Sequence, residues 1–125
     1  MSGYAATAQT AAYQQQSILT ATPGKLVVML YDGAVRFLKQ AAAAMRDERR
    51  AQADERLRRA DAIIEELQLT LDLEAGEIAS NLQGIYVFSR RHLNEARVER
   101  DPEKIDQVAG MLSELRGSWA QIAGS

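Results

Sequence analysis

Residues 22–33 constrain the fold most, because they join a helix start to an apolar stripe. Thr22 can serve as the N-cap through its hydroxyl, and Pro23 suits the first helical position, where no backbone donor is needed. Apolar residues and glycine then recur at three- and four-residue spacing: Leu26, Met29, Leu30, Gly33, Ala34, Phe37, Ala41 and Met45. We therefore predict a helix from Pro23 to about Met45 that buries this stripe, and Gly33 indicates close approach of another backbone or a bound helix.

Three further segments repeat the helical spacing. The second has Leu57, Ala60, Ile64, Leu67 and Leu71 in its seam and is predicted to end near Gly76. The third has Ile78, Leu82, Ile85, Tyr86, Ser89, Leu93 and Ala96. A second start signal, Asp101 followed by Pro102 and Glu103, opens a fourth helix with Ile105, Val108, Ala109, Leu112, Leu115, Trp119 and Ile122 on one face. The sequence predicts an all-α fold, an antiparallel up-down-up-down four-helix bundle with a mobile N-terminal arm.

The length and composition fit this architecture. The chain has 125 residues, of which 46% are hydrophobic and only 6% aromatic, as suits closely packed helices. Residues 1–20 are mostly Ala, Thr, Gln and Ser, so we expect a flexible arm there and the bundle domain in residues 21–125. No charged n-region opens the chain, and no apolar run reaches the roughly 18 residues of a membrane span. We expect a cytoplasmic protein with no membrane insertion.

The residue types favour no catalytic or cofactor site. The sequence has no cysteine and a single histidine, so neither thiolate metal sites nor paired Glu-x-x-His motifs can form, and we expect no metal and no cofactor. His92 alone raises the alternative of a phosphorelay domain, but Leu93 and Asn94 stand where the Lys and Gly typical of those domains would follow. We predict that the protein is not an enzyme.

The arginine-rich residues 46–59 are read as a solvated helix face. Six arginines alternate there with four acidic residues and no aromatic residue, and the whole chain has a net charge of -2. Asp54 with Arg58 and Glu55 with Arg59 form i,i+4 pairs. Nucleic-acid binding would need uncompensated positive charge with stacking groups, so we expect no nucleic-acid partner.

Some apolar residues lie outside the principal seams. Val27 and Tyr31 on the first helix, and Leu69 and Leu73 on the second, must meet another neighbour or form a surface groove. Surplus apolar surface without catalytic machinery is typical of an interaction protein.

Several of these segments together resemble the FliS family of flagellar secretion chaperones. The matching positions are residues 13–17, 22–33 and 76–82, followed by Tyr86, Arg91, Leu93, Ala96, Trp119, Gln121 and Ile122, in the family's order and spacing. Arg90, His92 and Val87 depart from the family's pattern. The resemblance covers nearly the whole chain from Tyr13 to Ile122.

The resemblance implies a function. FliS-like chaperones bind the disordered C-terminal segment of flagellin, prevent its premature polymerisation and deliver it to the flagellar type III export gate. Matching positions imply client contacts at Met29, Tyr31, Leu82, Tyr86 and Arg91, and docking on the export gate's cytoplasmic domain through Tyr13. The alternative is a generic helical adaptor for another export substrate or a regulator.

Overall fold

A computed structural model of the chain describes residues 23–123. Four helices make up most of that range: α1 spans Pro23–Arg46, α2 Arg50–Leu69, α3 Glu77–Glu99 and α4 Pro102–Ala123, with a short 3-10 turn at Leu73–Ala75. No strand occurs between residues 23 and 123, which confirms the all-α prediction. The predicted arm of residues 1–20, the Thr22 cap and Tyr13 lie outside the described residues.

Residues Leu30–Arg116 form one compact unit that contains most of each helix. The other described residues, 23–29 and 117–123, belong to a second unit and are the first residues of α1 and the last of α4. The core and the interhelical contacts described below lie within Leu30–Arg116.

Neighbouring helices run antiparallel, as their contacts show. Between α1 and α4, Arg116 donates to Asp32 at 2.8 Å and Arg46 donates to Asp106 at 2.6 Å. Residue numbers therefore rise along α1 in the direction in which they fall along α4.

The pairs that join α2 to α3 and α3 to α4 have the same sense. Arg100 donates to Asp54 at 2.9 Å and Arg90 to Asp61 at 2.9 Å, while Lys104 reaches Glu95 at 3.0 Å. α1 also contacts α2, at Phe37 and Gly33 as described below. Together these contacts confirm the four-helix bundle within this unit.

The core follows the predicted seams on three helices. The buried side chains of α2, α3 and α4 are Ala53, Leu57, Ala60, Ile64, Leu67, Ala79, Leu82, Tyr86, Ser89, Leu93, Ala96, Ile105, Val108, Ala109 and Leu112. Ile78, which was predicted for the seam, is 75% exposed, although its neighbour Ala79 in the first turn of α3 is buried.

On α1 the predicted stripe is confirmed in part, since Gly33, Ala34, Ala41 and Met45 are buried. Tyr31 and Leu38 are fully buried, whereas Met29 is 47% exposed and Phe37 is only half-buried. The guanidinium groups of Arg36 and Arg59 lie 5.3 and 5.7 Å from the Phe37 ring centroid, so that ring is covered by cations at the edge of the core. Tyr31 and Leu38 therefore widen the buried face of α1 beyond the predicted stripe.

Gly33 is the point where α1 approaches α2 closely. It is buried, and a Cβ at that position would stand 3.2 Å from Ile63 Cδ1. The close neighbour is thus a side chain of α2, whereas the sequence had indicated a backbone or a bound helix.

The second helix ends earlier than predicted. It stops at Leu69 because the Thr70 hydroxyl donates to the Leu67 carbonyl at 2.8 Å, and Asp72 then caps the 3-10 turn by accepting from the Glu74 amide. Gly76 has φ 108° in the turn immediately before α3, a conformation that favours glycine.

The turn between α3 and α4 follows the predicted start signal. Arg100 adopts the left-handed conformation after α3, and the Asp101 carboxylate accepts the Glu103 amide at 3.0 Å before α4 begins at Pro102.

Candidate functional site

Tyr31 and Tyr86 form a buried pair across the bundle. Tyr31 is 0% exposed and Tyr86 2%, and their hydroxyl oxygens share a hydrogen bond of 2.5 Å. The ring centroids are 6.4 Å apart and the planes are tilted by 46°. Burial, and then the bond to Tyr31, raise the pKa of Tyr86 well above its ordinary value, so the hydroxyl stays neutral.

This pair links α1 to α3, which are diagonal neighbours because each packs beside both α2 and α4. Leu82 is buried one turn before Tyr86, and Ser89 is fully buried one turn after it. The Ser89 hydroxyl has no hydrogen-bond partner among the described residues. The inner face of α3 is thus occupied by core packing along its middle turns.

The opposite face of α3 carries apolar side chains toward solvent. Val87, Phe88 and Val98 are 38%, 45% and 65% exposed, and Arg91 is exposed among them. A Cβ added at Gly84 would meet nothing within 4 Å. These positions recur at helical spacing, so they form one surface, which we call the outer face of α3 and define as Gly84, Val87, Phe88, Arg91 and Val98.

His92 borders the outer face on the side of α4. Its ring stacks on Phe88 with centroids 4.9 Å apart, and its Nε2 donates to the Gln107 amide oxygen at 2.6 Å. Its side chain is only 14% exposed. The imidazole therefore fixes Phe88 against α4 while leaving part of the Phe88 ring exposed.

Arg90 lies on the side of α3 that faces α2. It donates to both Asp61 carboxylate oxygens, at 2.9 and 3.2 Å, and this bidentate bond raises the pKa of Arg90. Two adjacent arginines thus have different surroundings: Arg90 is tied to α2, and Arg91 projects from the outer face.

Further exposed apolar side chains lie along the connection between α2 and α3. Leu69, Leu73 and Ile78 are all exposed there. The sequence analysis anticipated Leu69 and Leu73 outside the principal seam, and the structure confirms it.

The five predicted client positions thus lie in three settings. Tyr31, Leu82 and Tyr86 are buried, Arg91 lies on the outer face of α3, and Met29 is exposed on α1 outside the Leu30–Arg116 unit. Sequence reasoning missed Val98 as a surface group. Its signal was a second apolar spacing on α3, opposite the seam.

The arginine-rich start of α2 is largely a solvated face, as predicted. Glu55 binds Arg59 in the predicted i,i+4 pair, and this bond holds the pKa of Glu55 below its usual range. Asp54, however, pairs with Arg100, the residue that follows α3, rather than with Arg58, because the Arg100 guanidinium reaches across to α2.

Comparison with known proteins decides the family. A profile of the family described as "Flagellar protein FliS" matches residues 5–125. The chain belongs to the FliS family. This confirms the resemblance seen in the sequence, and FliS proteins have a chaperone role rather than an enzymatic one.

Individual FliS proteins match over most of their length. The flagellar secretion chaperone FliS of Bacillus subtilis is 36% identical over 114 residues, which cover 91% of this chain and 85% of the relative. That of Salmonella typhimurium is 35% identical over 111 residues, covering 87% and 82%. A crystal structure of a flagellar chaperone from bacteria has a TM-score of 0.75 at 21% identity and covers 91% of this chain and 96% of that one, which supports the fold.

Neither a metal-ligating cluster nor a membrane-spanning helix occurs within residues 23–123 of this FliS-family chain. No three His, Cys, Asp or Glu side chains there come together as a group that could hold a metal ion. Within the same range, every helix is too short or too polar to cross a membrane.

Proposed function

We propose that this FliS-family chain binds the disordered C-terminal segment of flagellin, prevents its premature polymerisation and delivers it to the flagellar type III export gate. The observation that carries the proposal is the outer face of α3, where apolar side chains and an arginine stand in solvent on a well-packed helix. Such a face suits an amphipathic client helix, which folds as it binds.

The outer face supplies the kinds of side chain that anchor protein interfaces. The exposed part of Phe88 offers an aromatic anchor, and Arg91 beside it can pair with polar groups at the rim. Gly84 leaves open space in which a client backbone can approach closely.

The other predicted client positions take different roles in the proposal. Tyr31, Leu82 and Tyr86 hold α3 in place from inside the core, and Met29 contributes a further exposed apolar contact. Tyr13 is proposed to dock on the cytoplasmic domain of the export gate. A disordered client must offset roughly 2 to 5 kcal/mol of ordering, so a preformed chaperone surface favours binding without any nucleotide.

Calorimetric titration tests the proposal. The purified chain is titrated with the C-terminal segment of flagellin from the same organism, and the N-terminal segment is the control. We expect selective C-terminal binding with a negative heat-capacity change, because apolar surface is buried. Absence of binding by either segment would favour the generic helical adaptor.

A matched pair of glycine variants tests the surface itself. Gly84→Gln places a long side chain on the outer face of α3, whereas Gly110→Gln places one at an exposed position of α4. At both positions the new Cβ would have no neighbour within 4 Å. We expect Gly84→Gln to weaken flagellin binding at least about tenfold by blocking close approach, and Gly110→Gln to leave it unchanged. Equal affinity in both variants would contradict the assignment of this face.

A further inference from the structure

A groove of about 700 Å³ runs between α2 and α3, beside the outer face of α3. Its floor is apolar, because Leu57 and Leu93 are both buried there. Its walls are polar and include Arg58 from α2 and Arg97 from α3. We call it the α2–α3 groove.

The charges of this groove do not cancel. Four arginines line it against two aspartates, whereas the whole chain has a net charge of -2. Both aspartates are engaged: Asp61 accepts two bonds from Arg90, and Asp54 accepts one from Arg100. The groove therefore has excess positive charge that its own carboxylates do not neutralise.

Three guanidinium groups supply this excess. Among the described residues, the Arg97 guanidinium donates to the neutral Asn94 amide oxygen alone, at 2.9 Å. Arg58 and Arg91 act at Coulombic range on Glu55 and Glu95, and each of those carboxylates is bound more closely by another cation. Arg58, Arg91 and Arg97 are all exposed, so they can bind an incoming anion without first breaking an interhelical ion pair.

Arg91 belongs both to this groove and to the outer face of α3. The two surfaces are therefore continuous, and a chain seated on the outer face has one flank toward the groove. We propose that the α2–α3 groove binds carboxylate side chains of the client, so that the chaperone selects a segment with an apolar face and an acidic flank. This inference rests on the proposed function and names the chemistry of its client.

The lining favours a peptide over a nucleic acid. It contains no aromatic side chain on which a base could stack, and its excess charge lies beside an apolar surface rather than along an extended basic stripe. Carboxylates match guanidinium groups in geometry as well as charge.

The test measures affinity for the flagellin C-terminal segment by fluorescence anisotropy, at about 50 to about 500 mM NaCl. The variant Arg58→Gln/Arg97→Gln removes two charges from the groove. Arg49→Gln/Arg50→Gln removes two charges from exposed positions at the start of α2, outside the groove, and is the matched control. Thermal melting of both variants checks that the bundle stays folded.

We expect the groove variant to bind the segment about tenfold more weakly at low salt, and its affinity to depend much less on NaCl concentration. The control should bind as the wild-type chain does. A segment whose Asp and Glu residues are changed to Asn and Gln should bind the wild-type chain more weakly, with no further loss in the groove variant.

Other outcomes would overturn the inference. Equal binding by the groove variant removes the groove's role but leaves the proposed function standing, whereas no binding of the segment to the wild-type chain removes both. Equal weakening in the control shows general charge attraction only. If the RNA octamer U8 binds with dependence on Arg58 and Arg97 and the segment does not, the groove is a nucleic-acid site.

Discussion

The hydroxyl groups of Tyr31 and Tyr86 are the main polar atoms in a core that is otherwise almost entirely apolar. Ser89 is the other buried residue with a polar side chain among those described. In such surroundings a hydroxyl without a partner costs about 1 to 3 kcal/mol, whereas a bonded pair adds little cost. Each tyrosine therefore depends on the other more than a surface residue would.

A double-mutant cycle measures this dependence. Tyr31→Phe should lower the free energy of unfolding by about 1 to 3 kcal/mol, because it leaves the Tyr86 hydroxyl buried without the bond it makes in the native chain. The double variant Tyr31→Phe/Tyr86→Phe should lose much less free energy of unfolding than the two single variants lose together. Urea unfolding of the four proteins gives the coupling energy, and additive effects would contradict a direct bond.

At the scale of the elements, α3 has three functional sides. Its inner side packs in the core, one flank forms the α2–α3 groove and the outer face carries exposed apolar groups. The inner side was predictable because its apolar residues repeat at helical spacing. Most of the outer face was not, since Val87 and Val98 have the same residue types as core positions and only the placement of neighbouring helices shows that they face solvent.

Glycines in α1 and α3 give a prediction for these elements. Gly84→Ala should stabilise the protein by about 1 kcal/mol, because alanine favours the helix and the new methyl group enters open space. Gly33→Ala should stabilise the protein less, or destabilise it, because the new Cβ would lie 3.2 Å from Ile63 Cδ1. Thermal melting of both variants distinguishes them, and equal gains would show that α1 and α2 are not tightly packed at Gly33.

Across the Leu30–Arg116 unit, buried side chains contribute more to stability than interhelical ion pairs do. The ion pairs are largely exposed, so each contributes little to stability. Ile64 and Leu112 are fully buried, and their apolar contacts are what joins the helices.

Truncation of the core tests this ranking. Ile64→Ala and Leu112→Ala should each lower the free energy of unfolding by about 2 to 5 kcal/mol through lost burial and cavity formation. The exposed Leu69 is the control, and Leu69→Ala should change it by less than about 0.5 kcal/mol. Chemical denaturation measures all three, and a small effect at Ile64 or Leu112 would contradict the core assignment.

The sequence predicted the number, order and approximate bounds of the helices because capping residues and apolar spacing are local signals. It did not predict the burial of Tyr31, whose partner is Tyr86, 55 residues away. It paired Asp54 with Arg58 by spacing, but the Asp54 carboxylate binds Arg100 in the turn between α3 and α4. Such choices depend on which helices become neighbours, so a single helix does not reveal them.

The Tyr31–Tyr86 bond also bears on how the bundle reaches a single alignment. Repeating alanine and leucine stripes can slide past one another by a helical turn and still bury similar areas. A slip of one turn moves α1 about 5.4 Å along α3, which separates the two hydroxyls where water is absent. The pair thus selects one axial register between diagonal helices, and with it the position of the outer face of α3 relative to α1.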